Sequence, residues 1–160
     1  MDRRSVSLAP LGKLGVVLAL AAASCGDNPT NVTPESRELE DNRELFRRSV
    51  RTSYRYEFRI DCFCGPDDRA PVRIEVRDGQ IQSVVVLEDG TTVERDRWDR
   101  YLTVEQVFTT IEEALDENAA IVRVGYDDSL GYPRDVFIDY SEMIADEERG
   151  FTIDNLSAIR

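Results

Sequence analysis

Residues 53–65 read SYRYEFRIDCFCG, with Tyr54, Tyr56, Phe58, Ile60, Cys62 and Cys64 on alternate positions. Successive side chains of an extended chain point to opposite faces, so this pattern predicts a strand with one buried face. Arg55, Glu57 and Arg59 fall on the other face. The two cysteines prolong the apolar side, which puts the least ordinary chemistry of the domain at the end of its clearest strand.

Downstream, Gly65-Pro66-Asp67-Asp68 breaks the pattern into a loop, and Val72, Ile74 and Val76 alternate with charged residues as a second strand. Asp78-Gly79 is a two-residue hairpin signal, because Gly accepts the positive φ that such a turn requires. Counting outward from it sets Val76 opposite Ile81, Ile74 opposite Ser83 and Val72 opposite Val85. A second turn at Asp89-Gly90 pairs Val86 with Val93, and Trp98, in a charged stretch, is expected to lid the core. Thr103-Val104-Glu105-Gln106 has the form of a capping box. The helix it opens carries Val104, Val107, Phe108, Ile111 and Leu115 on one face and stops at Asn118.

Two further strands, 121–126 and 134–140, are joined by a long turn. Tyr126, Asp127, Gly131, Tyr132 and Pro133 mark it as a shaped structural turn, with Tyr132 alternatively an exposed aromatic contact. Phe151-Thr152-Ile153 is expected to add an edge strand.

Upstream, Thr33 as N-cap and Pro34 at the first helical position start a helix running to about Ser49, with Leu39, Leu45 and Phe46 as its apolar stripe. The elements describe an α+β domain in two layers: a meandering antiparallel sheet of five or six strands with two helices packed on one face. That domain spans residues 34–160, and residues 26–33 form a polar tether. Residues 1–25 carry Arg3, Arg4 and Lys13, an apolar run from Leu14 to Ala23, and small residues before Cys25. They resemble a bacterial lipoprotein signal peptide, whose cysteine becomes the lipidated, palmitate-bearing first residue. The apolar run is too short for a permanent span.

Asp and Glu number 32 against 20 Lys and Arg, and this excess excludes recognition of nucleic acid through phosphate contacts. There is no histidine, so histidine-dependent triads and the usual zinc shells are unavailable. No catalytic residue, cofactor or metal site is assigned. Assigning Cys25 to the lipid leaves Cys62 and Cys64 as an even pair in an oxidising compartment. Two residues apart on an extended strand, they lie near the upper limit of disulfide spacing, so a bridge needs a bend at Gly65-Pro66. A structural disulfide and a redox-active pair both stay open.

The ordered set Tyr54-x-Tyr56, Cys62-Phe63-Cys64, Val72-x-Ile74-x-Val76-x-Asp78-Gly79, Thr103-Val104, Phe108, Tyr126-Asp127, Gly131-Tyr132-Pro133 and Ile138-Asp139 resembles the DUF6174 family. The resemblance implies a small secreted protein or lipoprotein of bacteria with an α+β domain, and it carries no activity. The expected function is therefore a non-enzymatic binding or structural module. It would be lipid-anchored through Cys25 on the non-cytoplasmic side of a bacterial membrane and contact an envelope protein. The alternatives are a thiol/disulfide redox protein using Cys62 and Cys64, and a calcium-dependent module using Asp127, Asp128, Asp139 or Asp146 to Glu148.

Overall fold

The computed structural model describes residues 33–62, 64–65, 69–141 and 148–159. Thr33 caps helix α1 (Pro34–Val50), its hydroxyl accepting from the Ser36 amide at 3.1 Å. Strands β1 (Tyr54–Asp61), β2 (Val72–Arg77) and β3 (Gln80–Val86) follow as an antiparallel meander. A 3-10 turn (Arg95–Arg100) leads to α2 (Val104–Asp116), whose capping box between Thr103 and Gln106 is formed in both directions. Strands β4 (Ile121–Tyr126), β5 (Pro133–Asp139) and β6 (Arg149–Ala158) make a second antiparallel meander.

The two meanders join through β1 and β6, giving an open six-stranded sheet in the order β3-β2-β1-β6-β5-β4. The tail strand, expected at an edge, therefore lies in the centre. The reason is local to its face: Ile153 sits opposite Phe58 and Phe151 opposite Ile60, so it completes the apolar surface that β1 begins. A bulge at Asn155, whose φ is 54°, keeps Ser157 in register with Arg55.

Two expected registers also shift. Beyond the Asp78-Gly79 turn, in which both residues have positive φ, Val76 meets Ile81 as counted. A bulge then places Val84 opposite Ile74 and Val86 opposite Val72. The slip removes the single mismatch at Ser83, which turns outward opposite Glu75, and every inward pair is now apolar. At the second turn the Gly90 amide bonds back to the Val86 carbonyl, so Val86 pairs with Thr91 and Val93 with Val84. The segment after it makes only an isolated bridge, Val85 with Thr92.

Both helices pack on the face carrying Tyr54, Tyr56 and Phe58. Rings run in contact along β1, Tyr54 to Tyr56 at 5.7 Å, Tyr56 to Phe58 at 6.1 Å and Phe58 to Phe151 at 5.8 Å. Phe46 of α1 meets Tyr54 edge-on at 5.4 Å. Such pairs contribute about 0.5–1.5 kcal/mol each beyond their buried area. Trp98 packs against the core edge and donates to the Val93 carbonyl at 2.9 Å.

Candidate functional site

Strand β1 ends at Asp61, and the chain bends at Cys62 and Cys64 instead of continuing the apolar face of the strand. The bend brings the two cysteine Cα atoms to 5.3 Å, where an extended pair would stand at about 6.6 Å, and the sulfurs are bonded. Both cysteines are partly exposed.

The strand end beneath them is tightly held. Arg59 and Asp61 form an ion pair at 3.1 Å, and Thr152 of β6 hydrogen bonds to both, at 3.3 and 3.4 Å. Gly150 lies opposite Asp61, and a Cβ added there would stand 2.8 Å from the Asp61 Cβ. A glycine at this position lets β6 close against β1 directly below the bridge. The disulfide thus stands at the outer end of this ladder.

The second group of sequence candidates forms the turn between β4 and β5. The Asp127 carboxylate accepts from the Ser129 hydroxyl at 2.7 Å and from the Ser129 and Leu130 amides at 3.0 and 2.8 Å. The Ser129 hydroxyl, with these amides, holds its carboxyl below the usual carboxylate range. Gly131 has φ 78°, and Tyr132 is only 5 % exposed, so its ring serves the core rather than an exposed contact. Tyr126 stacks on Phe108 at 6.3 Å, and burial pushes its hydroxyl pKa upward. Pro133 is buried where β5 begins.

The structure does not bring the two groups together. Asp61 pairs with Gly150, and Gly150 with Phe137 near the end of β5, while the turn joins β4 to the start of β5, at the opposite end of the sheet. Cys25, with Asp146 and Glu147, lies outside the described residues. Among the described residues no group of three or more His, Cys, Asp or Glu is placed to hold a metal ion. The Asp139 carboxylate accepts from the Ser141 amide at 2.9 Å. Among the described residues, too, no helix is long and apolar enough to cross a membrane.

The face of the sheet opposite the helices carries the charges predicted for it. Glu57 accepts from Asn155 at 2.7 Å and pairs with Arg73 at 3.2 Å, and these contacts, Asn155 foremost, lower its carboxyl pKa. Arg77 pairs with Glu75 at 2.7 Å, Arg134 with Asp154 at 3.4 Å, and Arg123 lies 4.5 Å over the Phe137 ring.

The pattern of alternation hid the polar work of the β1 tyrosines. The Tyr54 hydroxyl accepts from the Val104 amide, the first of α2, at 3.2 Å, and the Tyr56 hydroxyl donates to the Leu102 carbonyl. Both hold the entry to α2, where helix-end donors lack internal partners. Phe at either position would have given the same periodicity, so only the choice of Tyr on a buried face signalled this role.

Residues 38–158 match the family model described as "Family of unknown function (DUF6174)". No curated protein and no solved structure matches the chain.

Proposed function

We propose, for a chain that belongs to the DUF6174 family, a thiol–disulfide exchange role carried by Cys62 and Cys64. The observation that carries this reading is a bridge between cysteines only two residues apart, partly exposed at the end of a fixed strand. Closing so short a loop removes little freedom from the unfolded chain, so its stabilisation falls well below the ~3 kcal/mol of a 15-residue loop. A bond that adds little to stability opposes its own reduction weakly. The β1–β6 ladder meanwhile keeps both sulfurs at one strand end for reclosure.

The exchange is balanced as two thiols of a partner giving one partner disulfide. An incoming thiolate attacks one sulfur, the bond breaks, and the other cysteine leaves as a thiolate that takes a proton. A second partner thiol, deprotonated, resolves the mixed disulfide and returns the first cysteine as its thiol. The test is to count thiols in protein recovered from cells before and after mild reductant. A pair that cycles between bridged and reduced forms supports the role, and one that never opens without denaturation refutes it.

The leader in the sequence supports an envelope location with Cys25 as the lipid attachment point, which places the pair in an oxidising compartment. A binding role is the second reading, favoured by the sheet face that no helix covers among the described residues and by its Arg73–Glu57–Asn155 array. The two are separable, because substitution of both cysteines abolishes exchange and leaves that face intact.

A further inference from the structure

The two edges of the sheet are unequal. The outer edge of β3 is partly covered by its own chain, through Val86 to Thr91 and Val93 to Val84 hydrogen bonds of 2.9 Å. The other edge is β4, and among the described residues no strand pairs with its outer side. Its sequence, Ile121-Val122-Arg123-Val124-Gly125-Tyr126, has no lysine or proline, and what blunts it is one charge, Arg123, and a register shift confined to its end at Gly125-Tyr126. Every second residue of such a strand offers its N–H and C=O outward.

Beside this edge runs a groove of about 280 Å³ between β4 and the helix layer. Ile111, Leu115, Val122, Val124 and Tyr126 give it apolar surface, and the exposed Glu35 and Glu38 of α1 line it as well. Arg123, also at the groove, lies on the opposite side of the strand from Val122 and Val124, over Phe137. An added strand would therefore meet two kinds of charge on its two faces. Positions facing the helices would sit on apolar surface bounded by carboxylates, and positions facing away would pass the Arg123 guanidinium.

We propose that β4 is a strand-addition site for an extended peptide segment of a partner protein. Its helix-facing positions are aliphatic and flanked by Lys or Arg, and its outward positions are polar or acidic. Backbone hydrogen bonds to β4 supply affinity, and the alternating side chains supply selectivity. A second copy of this chain is the poorer occupant. The net charge of −12 opposes self-association, and pairing two β4 strands sets like surfaces against each other. This inference is independent of the thiol chemistry, which lies on β1, with β6 and β5 between it and this edge.

The probe is the capped peptide Lys-Thr-Val-Glu-Val-Thr-Lys, which presents the same pattern in either direction, titrated into the full chain and followed by amide NMR and hydrogen exchange. The control is its charge reversal, Glu-Thr-Val-Lys-Val-Thr-Glu. The expected result is saturable shifts and slowed exchange confined to 121–126 and the groove, with the control binding about tenfold more weakly. Glu38→Lys, an exposed change on α1, should weaken the first peptide severalfold and strengthen the control. Three results would overturn the proposal: shifts centred elsewhere or none at millimolar peptide, affinity unaltered by Glu38→Lys, or 121–126 signals that depend on protein concentration without peptide, which would mark a second copy as occupant.

Discussion

Gly131 of the β4–β5 turn lies so close to Asn42 of α1 that a Cβ at position 131 would stand 2.4 Å from the Asn42 carbonyl oxygen. The obstacle is helix backbone and cannot swing aside, and φ at Gly131 is 78°, a conformation costly for any residue with a side chain. Gly131→Ala should therefore lower stability by about 3 kcal/mol or more in urea unfolding. A loss under ~1 kcal/mol would mean that α1 does not dock on this turn.

Buried tyrosine hydroxyls make the fold sensitive to alkali. Burial pushes the Tyr54 pKa from 10.0 to about 12 and that of Tyr56 well above its ordinary value. For a group whose folded pKa is raised, the contribution is complete below the unfolded value and lost as pH climbs through the folded one. Unfolding followed by circular dichroism should thus hold level to about pH 10 and fall between pH 10 and about 12. Tyr54→Phe, which strips the Val104 amide of its acceptor, should cost about 1–3 kcal/mol at neutral pH.

Two arginines of α1 tie it to α2, Arg47 through a forked pair to Glu105 at 3.0 Å and Arg43 through a wider set of contacts. Arg43, its side chain 12 % exposed, donates to Glu105 at 3.2 Å, Glu112 at 2.9 Å and Thr109 at 3.1 Å, and lies 5.8 Å from the Phe108 ring centroid. Arg43→Ala should cost about 2 kcal/mol, because it takes from Glu112 the guanidinium it pairs with, leaves Glu105 to Arg47 and strips a largely buried side chain from the Phe108 ring. Arg43→Lys should recover less than half, since an ammonium cannot make the forked contacts. Equal stability of the Lys variant and the parent would contradict this.

Much of this fold was legible because its elements announce themselves locally. Thr33-Pro34, the Thr103–Gln106 box and Asp78-Gly79 each place a helix start or a turn by chemistry that needs no distant partner. Long-range choices were not. Phe151-Thr152-Ile153 has the pattern of any short strand, and only the match of Ile153 and Phe151 to Phe58 and Ile60 puts it at the centre of the sheet. The bulge in β3 carries no glycine, so Ser83 gave no sign that it would turn outward. At the candidate site the Cys62-Phe63-Cys64 pair could be read directly, along with its need for a bend. The groove at β4 could not, because it arises from the gap between the start of α1 at Pro34 and an edge strand that begins only at Ile121.

The envelope assignment predicts a simple fractionation. Cys25→Ala in the full chain should move the protein from the membrane to the soluble fraction, because a lipid on Cys25 is the attachment proposed and the domain itself is strongly acidic. Membrane retention of the variant would refute Cys25 as the anchor.

The thiol–disulfide role is tested most directly by the midpoint potential of the Cys62–Cys64 couple, measured by equilibrating the folded protein in graded glutathione buffers and trapping free thiols. A midpoint between about −180 and −250 mV is predicted, within reach of physiological thiols, with reduction shifting stability by less than about 2 kcal/mol. A pair still fully oxidised below about −300 mV, or one whose reduction unfolds the domain, would show a structural staple and contradict the proposal.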